Sequence, residues 1–194
     1  MNDTDSAADR LHRYSGVTQL IHWATAVLVL VTFLYGPGGS ELRVYAPARD
    51  ATRQLHETLG LAVFALVVLR VLWRLLDVRP PPVPAAGWMA LAAKLVQAAL
   101  YALLFAVPLS AIAGAWLEGH PLTLLAGVEI GPWLAKAHDS GAAIATLHTW
   151  LGDALLWVAG LHALAAIVHH VALHDEVLVS MLPRWLPLRL RRRA

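Results

Sequence analysis

Apolar positions in this chain fall into four long stretches, each bounded by polar or glycine- and proline-rich segments. Residues 14 to 40 contain no charged side chain, and Val17 to Tyr35 is their apolar part. Residues 58 to 69 are also uncharged, and the apolar character runs on to Leu76 past Arg70 and Arg74. Long arginine stems let such charges snorkel to a headgroup layer, so the second stretch is taken as 56–76. The third, 88–117, is uncharged from residue 95 onwards and contains Pro108, where a kink is expected. The fourth, 142–173, is uncharged from residue 154 and carries Asp153 inside it. A helix crosses the hydrocarbon core in roughly 20 residues. The pattern therefore predicts an all-α membrane protein, a four-transmembrane-helix bundle forming one domain over residues 1–194. Gly36-Pro37-Gly38-Gly39 ends the first helix, and Arg79-Pro80-Pro81-Pro82-Val83-Pro84 reads as a stiff polyproline link. Residues 118 to 147 read as a longer loop. No internal repeat is visible, and the short connections leave no room for a soluble domain. The first span lacks a small-residue cleavage site of the A-x-A kind and is expected to be retained.

Composition supports the membrane reading. Hydrophobic residues make up 58% of the chain and charged residues 14%, against about 25% charge in soluble domains. The chain has no cysteine, which excludes disulfides, thiolate catalysis, iron–sulfur clusters, cysteine-held zinc and c-type haem. Ten histidines and eight tryptophans stand out against so few polar residues.

Charge sets the expected orientation. After the second stretch come Arg70, Arg74, Asp77, Arg79 and Lys94, net +3. The C-terminal tail has Asp175, Glu176, Arg184, Arg189, Arg191, Arg192 and Arg193, also net +3. On the opposite side, Glu41, Asp50 and Glu57 balance Arg43, Arg49 and Arg53. Residues 118 to 147 are net −2, from Glu118, Glu129, Asp139 and Lys136. The positive-inside rule places both termini in the cytoplasm, although residues 1 to 16 are net −1. The basic run Arg189 to Arg193 beside a span fits anionic lipid better than nucleic acid, and no nucleic-acid partner is expected.

Ionisable groups inside spans are costly and mark function. His22 lies just inside the cytoplasmic end of the first stretch, and His56 at the outer end of the second. His148 is near the outer end of the fourth. His162 lies 14 residues further on, a rise of ~21 Å and almost four full turns, so both face roughly one side. Depth alone then pairs His22 with His162 and His56 with His148. Two histidine pairs stacked along one bundle are what two bis-histidine b-type haems require, each imidazole giving one nitrogen to iron. A lone histidine in a span is as often a packing residue. Zinc needs its ligands at one depth, whereas these lie at two depths ~20 Å apart.

These residues carry a family resemblance. The chain resembles the bacterial cytochrome b561 family of di-haem four-helix membrane proteins, nearest its superoxide oxidase branch. The matching features are Gln19-Leu20-Ile21-His22-Trp23, Leu55-His56-Glu57-Thr58-Leu59-Gly60, Val68-Leu69-Arg70-Val71-Leu72-Trp73-Arg74, Pro80-Pro81-Pro82 and Val107-Pro108-Leu109. To these are added Leu147-His148, the run from Gly160 and His162 to His169-His170, and Met181-Leu182-Pro183-Arg184. The resemblance implies that His22, His56, His148 and His162 are the haem ligands. It implies an oxidoreductase of the bacterial inner membrane that passes electrons from a periplasmic donor to the quinone pool. In the superoxide oxidase branch, superoxide is oxidised to dioxygen and ubiquinone is reduced, and the quinone-contacting histidine of the family matches His169. Histidine suits that step because it titrates near neutrality. His170 and His174 rank behind it as interfacial residues.

Further residues are candidates for supporting roles. Arg70 and Arg74 are expected as propionate partners of the inner haem or as positive-inside anchors. Arg53 is the outer counterpart. Asp153 is a candidate to bond a ligand imidazole, His120 and His138 are expected to be solvated, and most tryptophans are expected as interface anchors. Superoxide is an anion, which a positive face would steer. The outer segments are negative overall, leaving a local patch at Arg43, Arg49 and Arg53. Two rivals stand beside this reading: a cytochrome b subunit anchoring a hydrogenase or dehydrogenase complex, and a haem-free metal transporter with a histidine relay.

Overall fold

The computed structural model describes residues 13–77, 87–183 and 186. The proline-rich link and the basic tail Arg189 to Arg193 lie outside these residues. Six helices follow in order: α1 (Gly16–Leu34), α2 (Glu41–Val44), α3 (Asp50–Leu76), α4 (Trp88–Glu118), α5 (His138–Val168) and α6 (Val177–Met181). Four of them, α1, α3, α4 and α5, are long and apolar enough to cross a membrane. A small antiparallel hairpin, β1 (Leu122–Thr123) and β2 (Glu129–Ile130), stands between α4 and α5. The segment predicted as a loop over 118–147 thus contains this hairpin and the start of α5, from His138 onwards.

Helices α3 and α5 begin before their apolar stretches, at Asp50 and His138 rather than residues 56 and 142. Hydropathy reports only the membrane-facing part, whereas the helix continues for as long as polar partners hold its first turns. In α3 those partners are the α3 side chains themselves: Arg53 donates to Asp50 and to Glu57, each at 3.1 Å.

Two pairings organise the bundle. α4 and α5 approach most closely, because glycines remove side chains where the backbones meet. A Cβ on Gly114 would lie 3.1 Å from the Ala145 amide nitrogen, and one on Gly141 would lie 2.7 Å from the Glu118 amide nitrogen. α1 packs on α3, where Val63 and Val67 are buried. The rings of Phe64 and Phe105, 5.9 Å apart, join α3 to α4. α1 and α5 face each other through histidines.

The inner end is tied by polar contacts. Ser15 caps α1 by accepting from the Thr18 amide, and both hydroxyls donate to Asp77 at 2.9 and 3.1 Å. Trp73 Nε1 donates to Thr18 Oγ1 at 3.1 Å. Beyond α5 the chain turns back, and α6 lies against the start of α1. Gln19 Nε2 and the Tyr14 amide both donate to the Ser180 carbonyl at 3.1 Å, and Trp23 Nε1 donates to the Met181 carbonyl at 2.8 Å.

Candidate haem site

The structure brings the four intramembrane histidines together as two pairs. His22 on α1 and His162 on α5 have ring centres 6.4 Å apart, with planes at 81°. His56 on α3 and His148 on α5 have ring centres 6.1 Å apart, with planes at 84°. An imidazole nitrogen bonds a transition metal at about 2 Å, so a metal shared by two rings separates the nitrogens by ~4 Å and the ring centres by ~6 Å. Both pairs have that spacing.

Backbone carbonyls set the outer pair. His56 Nδ1 bonds the Thr32 carbonyl at 2.8 Å, and His148 Nδ1 bonds the Val107 carbonyl at 2.9 Å. A carbonyl only accepts, so each Nδ1 carries the proton and each Nε2 keeps its lone pair, the form a metal takes. The Thr32 carbonyl is available because α1 ends there. The Gly36 amide, which would complete its helical bond, turns to Phe33 instead. The Val107 carbonyl directly precedes Pro108 in α4, and it also accepts from Ser110 Oγ at 2.8 Å.

The inner pair differs. Arg70 Nη1 donates to His22 Nδ1 at 3.0 Å, and Arg70 Nε donates to the Tyr101 hydroxyl at 3.0 Å. Arginine is always a donor, so in this arrangement a neutral His22 holds its proton on Nε2; holding a metal there as a neutral imidazole would need the proton on Nδ1 and Arg70 turned to another acceptor. Arg70 therefore stands directly beside the inner pair. Arg74 lies over the ring of Tyr14 at 5.9 Å. Burial raises the Tyr14 hydroxyl above its usual range, against the opposing pull of Arg74.

Several expected roles change. Arg53 is held by Asp50 and Glu57, so its guanidinium is already engaged. Asp153 is exposed, and the outer imidazoles take carbonyls in its place. His120 is not merely solvated: its Nε2 meets Glu41 at 2.7 Å and its ring stacks on Tyr45 at 3.6 Å. His138 opens α5 and lies 3.6 Å from the other Glu41 oxygen. The His120 contact holds the Glu41 carboxyl below the usual carboxylate range, and burial pushes the Tyr45 hydroxyl up. Trp157 is exposed within α5, well away from either end.

At the inner end, His169 begins a wide π turn, His169–Leu173, beyond α5. Its Nδ1 is bonded to Asp175, a partner that sequence reasoning missed. His174 Nδ1 donates to the Ala172 carbonyl at 3.0 Å. His170 Nδ1 is buried with no partner among the described residues.

Four membrane-crossing helices with paired imidazoles between them define a multi-pass, haem-binding membrane protein. The family model described as prokaryotic cytochrome b561 matches residues 13–184, and the chain belongs to that family. It is a b-type haem protein of membrane electron transfer. It is 30% identical over 171 residues to "Cytochrome b561 homolog 2" of Escherichia coli (strain K12), covering 88% of this chain and 91% of that protein. It is 31% identical over 176 residues to "Probable superoxide oxidase CybB" of Yersinia pestis, covering 89% and 97%. With "Cytochrome b562" of Cereibacter sphaeroides it shares 27% over 179 residues, covering 87% and 94%.

Proposed function

We propose that the protein binds two b-type haems, one between His22 and His162 and one between His56 and His148. In this reading it passes electrons inward from a periplasmic donor to ubiquinone across the bacterial inner membrane. The observation that carries the reading is the two histidine pairs, with ring centres 6.4 and 6.1 Å apart, both spanning to α5.

The preferred donor is superoxide. Two superoxide anions, one ubiquinone and two protons give two dioxygen molecules and one ubiquinol. Bound haem supplies a one-electron couple inside the apolar bundle. The chain's own residues hold and orient that couple and handle charge and protons. The Thr32 and Val107 carbonyls fix the outer imidazoles, and Arg70, beside His22, and Arg74 are the guanidinium partners offered to the inner haem's propionates. On the outer segment, Glu41, Asp50 and Glu57 are engaged by His120 and Arg53, which leaves Arg43 and Arg49 to attract an anion. His169 supplies protons at the inner end.

The test is the reduced-minus-oxidised visible spectrum with a haem-to-protein ratio, for wild type, His22→Ala and His148→Ala. The expected result is two haems per chain, with each substitution chiefly removing a different one. No haem, or one haem indifferent to His148, would sink the reading. Stopped-flow mixing with superoxide then tests the donor, and absence of haem reduction would remove superoxide.

A further inference from the structure

α5 does not stop cleanly at Val168. The next five residues, His169–Leu173, widen into a π turn, a rare form that tends to sit at functional sites. His174 follows with φ 58°, a left-handed conformation at a non-glycine residue, and such strain persists only where the surroundings over-determine it. The surroundings here converge on Asp175. Its amide donates to the His169 carbonyl at 3.2 Å and closes the turn. Its Oδ1 accepts from the Val177 amide at 3.1 Å, at the start of α6, while its Oδ2 is bonded to His169 Nδ1. α6 is in turn pinned to α1 through the Ser180 and Met181 carbonyls. The carboxylate is therefore fixed from both sides, and it fixes the ring.

We propose that Asp175 is a positioning residue for quinone reduction: it holds His169 with a proton on Nδ1, so that Nε2 is the nitrogen that delivers protons to a quinone oxygen. The inference rests on the quinone role proposed for His169. The chemistry balances as follows. A quinone becomes a quinol by gaining two electrons, which the cytochrome supplies singly, and two protons. For a proton from His169, the Nε2–H bond of the doubly protonated ring breaks, its electron pair stays on nitrogen, and an O–H bond forms on the quinone. The ring ends neutral with Nδ1–H still on Asp175, and cytoplasmic water returns a proton to Nε2. The carboxylate offsets the positive charge of the doubly protonated ring, as aspartates do for acid–base histidines elsewhere. Asparagine would keep an oxygen for Val177 but offer Nδ1 an N–H donor. That moves the proton of the neutral ring to Nε2 and removes the compensating charge.

The experiment uses haem-loaded protein, chemically pre-reduced and mixed with ubiquinone-1, with haem reoxidation followed by absorbance. In Asp175→Asn the saturating rate should fall about a hundredfold, the scale of a lost acid–base contribution. Half-saturating quinone should change little. Asp175→Glu should recover part of the rate, and the haem spectrum should stay intact. Independently, ¹⁵N spectra of histidine-labelled protein, assigned through His169→Gln, should show the neutral His169 tautomer with Nδ1–H in wild type and Nε2–H in Asp175→Asn. An unchanged rate in Asp175→Asn beside a slow His169→Gln overturns this inference and leaves the quinone reading standing. An unchanged rate in His169→Gln overturns both. If Asp175→Asn loses its haem, the wild-type spectrum decides alone, and Nε2–H there refutes the inference.

Discussion

Among the candidate histidines, His22, His56, His148 and His169 each have a partner that orients the ring. In the outer pair that partner is a main-chain carbonyl, which no side-chain substitution at the same position removes. In the inner pair it is a cation at His22, and beyond the end of α5 it is a carboxylate at His169. The outer pair is also tied to the loop above it through its neighbour Glu57, which accepts from Arg53 at 3.1 Å and from the Thr123 amide at 2.5 Å. The Arg53 side chain is only 10% exposed, and its Nε has no partner among the described residues. Breaking a buried pair by removing one member costs about 3 kcal/mol, because the remaining charge stays buried. Glu57→Ala is therefore expected to lower the unfolding free energy by roughly that amount, and Glu57→Gln by less. Equal midpoints for Glu57→Ala and wild type in a denaturant titration would show that Asp50 alone satisfies the guanidinium.

At the level of elements, the helix ends do chemical work. The stop at Gly36-Pro37 both ends α1 and releases the carbonyl that His56 uses. Close approach of α4 and α5 depends on glycine at two positions. A Cβ at Gly141 would meet the Glu118 amide nitrogen at 2.7 Å and Leu117 carbonyl carbon at 3.0 Å, and backbone cannot swing away. Gly141→Ala is expected to cost about 2 kcal/mol, in the range of overpacking strain. Gly152→Ala and Gly160→Ala meet nothing within 4 Å; they should leave stability unchanged or raise it by up to about 1 kcal/mol through helix propensity. Thermal unfolding of the three variants in one detergent separates these outcomes, and an equal loss in all three would show that the Gly141 contact does not set the cost.

For the whole molecule, four crossings return the C-terminal segment to the side from which α1 starts, and the α6–α1 hydrogen bonds hold the two together. The positive-inside rule predicts that this side faces the cytoplasm. A C-terminal reporter that is active only in the cytoplasm is expected to be active, and the same reporter inserted in the β1–β2 turn is expected to be silent. The reverse pattern would invert the proposed direction of electron flow. The large exposed side chains Trp150, Trp157 and Leu161 on α5 suit a lipid environment.

The four long helices and the two depths of histidine were legible in the sequence, because hydropathy and a rise of ~1.5 Å per residue are local properties. So was the polar break that ends each helix. What the sequence left open was the neighbour each ring would meet. The Thr32 and Val107 carbonyls carry no residue-type signal, and only the packing of α1, α3, α4 and α5 brings them to His56 and His148. Arg53 looked available until its own helix extended back to Asp50. Asp175 looked like a tail charge until the π turn reversed the chain. Spacing along one chain fixes which residues share a depth, whereas the partner across a bundle is decided by how helices approach one another, and that depends on all of them together.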